Sequence, residues 1–508
     1  MIDIDNKLYK GIWKYFFVAA LILLPTLAFP IASDLSVFMH GGSIIANGGY
    51  LFQDFYDIKP PFIYYLFAAI NFLFGDNLIA FRLFDFFYQL TFLVITSYLM
   101  FKLELKTKVI KAFLIIFPLS YTILNYRDIF QTESLAFIPL ILYFYYLIRE
   151  DNSYKKHLIM GTVLGIAIAL KYTLGIIFIG YIVYFFSDSK KRDYTKAITQ
   201  LIIAIFVVVL TFVPVLVTGG LDGFLDTNSY LAEYAKYPPI GAALAKQMID
   251  ILTHNFGTLV SVSTLFFFLL ASLLIKDEKL QIMKKYLLLF CFLLFLSVLL
   301  ERKINMYHIT RLYPYFIIIV SLGLVYFIEK YRFRFNLASF TLIAMFLLMS
   351  PLLRFVNSYK IAFDRLFRYE SYLAYYTNDK PFNILGHHIA IADYINKKGE
   401  EKFLFINTGG NQTIHYLNSK YKYKFPHSAF HLSPKAPASY KKAFEEDLKD
   451  ANIIAIDSLD NIFMIFLTDG SSYDLFFKEK EYKDYLNNYF ELDTTLLNRY
   501  FIYERKCK

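Results

Sequence analysis

Cysteine is nearly absent: the 508 residues contain two, Cys291 and Cys507. One lies in an apolar run and the other beside the last residue, so no bridge is expected. A disulfide scaffold and a cysteine-rich metal site are excluded. Charge is scarce as well, with Asp, Glu, Lys and Arg making up 19% of the chain, against about 25% in an average soluble domain. No G-x-G-x-x-G loop and no Walker sequence is present to cradle a nucleotide; Gly409–Gly410 alone is weak evidence. Internal repeats and mid-span charges, which a transporter built from paired halves would show, are also missing.

What is present is apolar. Hydrophobic residues reach 57%, with 55 Phe and 43 Tyr, and the mean hydropathy is +0.44. A disordered chain, a coiled coil and a nucleic-acid tail do not have this composition. The 52 basic and 42 acidic residues leave a net charge of +10. Those charges sit in short clusters between apolar runs, which is the pattern of membrane topology.

A membrane span takes about 20 mostly apolar residues. The first run, Tyr15 to Ile31, follows Lys7, Lys10 and Lys14 and has no small-residue cleavage site before Asp34. It reads as an uncleaved first helix with a cytoplasmic N-terminus. Further runs cover about 78–101, 109–125, 130–148, 158–171, 172–186, 197–217, 258–275, 286–300, 312–328 and 337–353, about eleven in all. The clusters Lys102–Lys111, Lys155–His157, Lys190–Lys196, Lys276–Lys285 and Lys330–Arg334 then all fall on the cytoplasmic side. Residues 60–75 are apolar but short. A helix lying in the interface, started by Pro60 and Pro61, fits them and keeps that parity.

This map places outside the first loop 32–77, the turn 125–130, the corner 170–173, the loops 218–257 and 301–311, and the tail 354–508. The expected fold is a polytopic α-helical membrane protein with a small extracytoplasmic α/β domain. Residues 1–353 would form the membrane module and 354–508 the outer domain. In the tail, KFLFI at 402–406 and NIIAI at 452–456 read as strands, and 387–398 reads as a helix.

Ionisable residues on the outer side are the informative ones. Asp34 follows the first span directly, as a functional carboxylate or as a helix cap. The segment QDFYDIKPP carries Asp54, Asp57 and Lys59 beside two prolines, a rigid polar site or a well-capped turn. Arg127, Asp128 and Glu133 stand where the third span hands over to the fourth. Outside cations break the topology rule: Lys171 at the 170–173 corner, and Arg302, Lys303, His308 and Arg311 in the 301–311 loop. They suit an anionic, phosphate-bearing partner, lipid headgroups, or pairing with Glu301 and nearby carboxylates.

The block DLSVFMHGGSIIANGGYLFQDFYDIKPPFIYYLFAAINFLFGDNLIAFRLFDFF resembles the start of GT-C membrane glycosyltransferases. It is similar to their bacterial protein-mannosyltransferase-like and aminoarabinose-transferase-like branch (glycosyltransferase family 39-like). Asp34 matches the family's catalytic carboxylate of the first outer loop. Lys59, Pro60 and Pro61 match its proline element, with Asp57 just ahead, and Gly75 and Arg82 fit the same pattern. Asp128, with Glu133 near it, is similar to a second carboxylate site. Gly161, Gly165 and Lys171 resemble a Gly-x3-Gly-x5-Lys pattern, and Lys303, Tyr307, His308, Tyr313 and Pro314 resemble the late loop. Many relatives carry an acidic pair at the first site, where here Leu35 follows Asp34.

The resemblance implies a GT-C fold and a transferase taking a hexose or pentose from a polyprenyl-phosphate donor on the outer face. The acceptor would be an envelope glycan, a lipid or a protein, the membrane the bacterial cytoplasmic one. Asp34 would act as general base and invert the anomeric centre, with Asp128 and Glu133 in support. Lys59, Lys171, Arg302, Lys303, His308 and Arg311 would answer the donor phosphate, and Asp54, Asp57, Pro60 and Pro61 would shape the loop. No cofactor is assigned, a divalent metal stays open, and no nucleic-acid partner is expected. A polymerase or ligase of lipid-linked glycans and a transporter of them are the competing readings.

Overall fold

The computed structural model describes residues 6–31, 33–75, 77–124, 126–149, 151, 153–187, 193–236, 241, 245–246, 273, 278–302, 306–331, 352–377, 384–407, 412–460 and 470–506. The chain forms two compact units. The first comprises Met1–Phe29, Phe81–Thr211 and Pro238–Phe363; the second comprises Pro30–Ala80, Phe212–Tyr237 and Asp364–Lys508.

The first unit is helical throughout. Five helical stretches among the described residues are long and apolar enough to cross a membrane: Gly11–Ala28, Leu78–Lys102, Tyr194–Val217, Leu280–Glu301 and Tyr313–Lys330. Shorter helices match other apolar runs, among them Thr107–Thr122, Phe137–Ile148 and Tyr154–Leu170. The runs at 258–275 and 337–353 lie almost wholly outside the described residues. Ile198, Ile202, Ile205, Phe206 and Val209 are exposed along one helix. Such a bare apolar face is what lipid covers.

The inside of this unit is aromatic. Phe92 packs on Phe117 and Phe137 at ring-centre distances of 4.7 and 5.3 Å, and Phe290 on Tyr315 at 5.3 Å. Two helices also meet backbone to backbone. A Cβ at Gly161 would lie 2.6 Å from the Gln200 carbonyl oxygen, and one at Gly165 would lie 2.6 Å from Val207 Cβ. The Gly-x3-Gly part of the pattern is therefore a packing seam.

In the second unit the helix Ser33–Ala46 packs on the helix Pro61–Phe74. Pro60 and Pro61 start the latter, and Gly75 ends it at φ 73°, a left-handed conformation that costs glycine little. Gly42 lets the pair approach, since a Cβ there would meet the Phe67 backbone at 2.7 Å. Phe38 fills the seam against Tyr64 and Phe67.

The same unit holds a four-stranded sheet of order β1-β2-β4-β3, with β1 Phe403–Ile406, β2 Ile453–Asp457, β3 Phe490–Leu496 and β4 Tyr500–Arg505. Both runs read as strands are strands. They pair in parallel and are buried at every position, as continuous apolar runs require. Helix Leu385–Lys398 covers the third expected segment. β3 and β4 form an antiparallel hairpin that closes at Leu497 and Asn498, both at positive φ. The stretch 412–427 lies against the first outer loop: Tyr56 N–H donates to the Lys424 carbonyl, and the Tyr56 ring stacks on Phe425.

Candidate functional site

The expected residues fall into two groups, one in each unit. In the first unit the helix Tyr154–Leu170 ends at Lys171, whose backbone is extended, and a 3-10 turn Tyr172–Ile177 follows. The break directs the Lys171 side chain at two carboxylates. Its ammonium pairs with Glu133 Oε1 and lies 3.0 Å from Glu301 Oε2. Glu133 lies in the first turn of the helix Thr132–Leu135, and Glu301 ends the helix Glu278–Glu301.

Arg311 bridges the same two acids, 3.0 Å to Glu133 and 2.8 Å to Glu301. It also donates to Ser297 Oγ at 2.7 Å. Neither the Arg311 nor the Glu133 side chain has any exposed surface. Two carboxylates and two cations balance, and each cation spans both acids. Only such mutual satisfaction makes buried charge tolerable. His308 Nδ1 lies 3.2 Å from Glu301 Oε2 yet is not aligned for a hydrogen bond. Burial, followed by the charge of Lys171, pushes this imidazole down to about 3, so it is neutral. The Tyr307 ring lies beside the Lys171 ammonium, 5.8 Å from its centre. Ligand atoms of Glu133, Glu301 and His308 lie within 4.8 Å of one another, a potential metal-coordinating triad.

The second unit holds the first-loop group. Asp34 sits in the first turn of Ser33–Ala46, where its carboxylate also suits the helix dipole. Lys59 Nζ lies 3.3 Å from Asp34 Oδ2, and the two side chains are 21% and 23% exposed. Asp57, by contrast, is buried and accepts the Tyr64 hydroxyl. Burial raises its carboxyl above the usual range against the pull of Lys59 and His427. Asp54 Oδ2 accepts the Tyr50 N–H at 2.8 Å and closes a turn. The prolines pre-form the next helix. So Asp34 and Lys59 make an accessible ion pair, while Asp54, Asp57, Pro60 and Pro61 hold the loop around it.

Asp128 is buried in the turn that precedes Glu133. Arg127 lies against the Tyr126 ring. Arg302 follows Glu301 at φ 53° and is half-buried. Lys303 lies outside the described residues. Glu301 is weighed in the sequence only as a pairing partner for the outer cations, a role it fills with Lys171 and Arg311, and not as a site residue. Its signal was position, an acid at the last turn of a span facing a basic loop. Asp85 was passed over as well: buried within Leu78–Lys102, it accepts from Tyr121 Oη at 2.8 Å and Gln89 Nε2 at 3.1 Å.

The family described as dolichyl-phosphate-mannose-protein mannosyltransferase matches residues 58–217. That stretch includes Lys59, Asp128, Glu133 and Lys171 but not Asp34, and is less than half of the chain. Among solved structures, ArnT from Cupriavidus metallidurans, a crystal structure with undecaprenyl phosphate bound, superposes with a TM-score of 0.57. The two are 11% identical, and the match covers 97% of this chain and 98% of that one. The fold is GT-C-like. The chain is a mostly helical, polytopic membrane protein of that architecture, with a C-terminal strand region. Two structures of the Archaeoglobus fulgidus oligosaccharyltransferase match at TM-scores of 0.45 and 0.43, with 11% and 12% identity. Each match covers 88% of this chain and 70% of that one; these similarities are too low to carry an argument. Among curated proteins none matches.

Proposed function

We propose that the protein transfers a sugar from a polyprenyl-phosphate donor to a hydroxyl acceptor on the outer face of the membrane, with inversion. The observation that carries this reading is the part-exposed Asp34–Lys59 pair just after the first span, in a fold shared with ArnT. Residues 1–353 are the catalytic membrane module and 354–508 an extracytoplasmic domain; the acceptor is an envelope glycan, lipid or protein.

The chemistry divides between the two members of the pair. The lipid phosphate is a good leaving group and needs charge stabilisation rather than a proton. Lys59 is the cation the geometry favours for it. Lys171, Arg302, Lys303, His308 and Arg311 make the second set of candidates. Of these, Lys171 and Arg311 reach a phosphate only by sharing their charge with Glu133 and Glu301, and His308 joins as a neutral hydrogen-bonding group. The acceptor hydroxyl is a poor nucleophile, and Asp34 takes its proton. Asp128 and Glu133 remain the candidate supporting carboxylates, Glu133 by holding Lys171 and Arg311. Attack opposite the leaving phosphate inverts the anomeric carbon.

Asp34→Asn keeps the shape and removes the base. Transfer of labelled sugar by the purified protein in detergent should fall about 10²–10⁴-fold, while the donor still binds and the protein inserts normally. Asp54→Asn should be far milder. If Asp34→Asn keeps more than about a tenth of the parent rate, Asp34 is a helix cap and the reading fails.

A further inference from the structure

Two buried carboxylates that face one point need a cation between them. A small divalent ion bound by two carboxylates and an imidazole is one common answer. Glu133, Glu301 and His308 offer that donor set, with ligand atoms within 4.8 Å of one another. His308 is buried, and its Nδ1 has no hydrogen-bond partner although it faces Glu301. The position between the two acids is nevertheless filled from within the chain. The Lys171 ammonium touches both Glu133 and Glu301, and it arrives there because its helix stops one residue earlier.

We infer that Lys171 is the built-in cation of a three-ligand site, so that the parent protein takes no divalent ion at Glu133, Glu301 and His308 and gains a site for Mn²⁺ or Zn²⁺ when the ammonium is removed. The charge balance gives the reason. Arg311 and Lys171 together neutralise the two acids. Without Lys171 one negative charge stays buried and unanswered, which is costly. A divalent ion answers it with one positive charge to spare and uses the idle imidazole nitrogen, whereas a proton would answer it and leave that nitrogen idle.

The test is metal content. The parent, Lys171→Met, Lys171→Ala and Lys171→Gln proteins are purified in detergent, incubated with Mn²⁺ or Zn²⁺, desalted and analysed by elemental mass spectrometry. Thermal unfolding is followed with metal and with EDTA. The variants should keep about one ion per chain and melt higher with metal. The parent should keep none and melt alike in both. His308→Ala added to Lys171→Ala should lose the ion. Stoichiometric ion in the parent that His308→Ala removes overturns the inference. Metal-free variants also overturn it, since a proton then answers the charge. If no variant accumulates even with metal in the growth medium, it is overturned too, because the ion should answer the buried negative charge.

Discussion

Arg311, with no exposed side-chain surface, is tolerated because Glu133, Glu301 and Ser297 meet its two terminal nitrogens; breaking such a buried set by removing one partner costs about 3–5 kcal/mol. Two buried histidines of the second unit solve the same problem by staying neutral. Burial pushes His388 down to about 3 and His40 down to about 4. Each also makes a hydrogen bond that fixes its ring, His388 with Thr413 and His40 with the Tyr423 carbonyl. The unfolded chain, with imidazoles near their ordinary value of about 6.5, binds more protons below that pH than the folded one. Stability is therefore fully present above about 6.5 and is lost as pH falls toward the folded-state values. The melting temperature should drop between about pH 7.5 and pH 5. His388→Asn, which keeps a partner for Thr413 and cannot charge, should flatten the drop. An unchanged slope would show that His388 takes its proton inside the folded protein.

At the scale of elements, the helix Tyr154–Leu170 does two jobs with one sequence pattern. Gly161 and Gly165 let it lie on the backbone of the helix Tyr194–Val217, and its end sets where Lys171 points. Gly165→Val forces the two helices apart, because even the first added carbon meets Val207 at 2.6 Å. The expected destabilisation is about 1–3 kcal/mol, the usual cost of overpacking, read as a lower melting temperature. Gly11→Ala, placed in a helix with nothing within 4 Å, should be neutral or slightly stabilising, since alanine is the better helix former. Equal losses in both variants would mean that the seam is not what Gly165 provides.

For the whole molecule, we propose from the basic clusters and the expected odd number of spans that residues 354–508 lie outside the cytoplasm. A phosphatase fused at about residue 360 should be active there, and a reporter that works only in the cytoplasm should be silent. The reverse result would move the Asp34–Lys59 pair to the wrong face for a polyprenyl-phosphate donor. The first outer segment and the C-terminal sheet belong to one compact unit, tied by Tyr56 to Lys424 and Phe425 and by the Ser36–His415 hydrogen bond of 3.0 Å. The tail thereby supports the loop that carries Asp34.

Hydropathy and helix signals are local, so the sequence alone determined the apolar helices, the break at Lys171 and the helix begun by Pro60 and Pro61. The strands at 402–406 and 452–456 were equally legible, because a fully buried strand is a short continuous apolar run. The β3–β4 hairpin was not. Its turn uses Leu497 and Asn498 at positive φ rather than the glycine that marks such turns. Tertiary structure alone decided the charge cluster. Glu133 and Arg311 are 178 residues apart in the chain and 3.0 Å apart in space. Sequence showed that outer cations and carboxylates exist, but which of them meet depends on how helices pack. A glutamate at a span's end pairs with whatever cation the neighbouring helix ends bring to it.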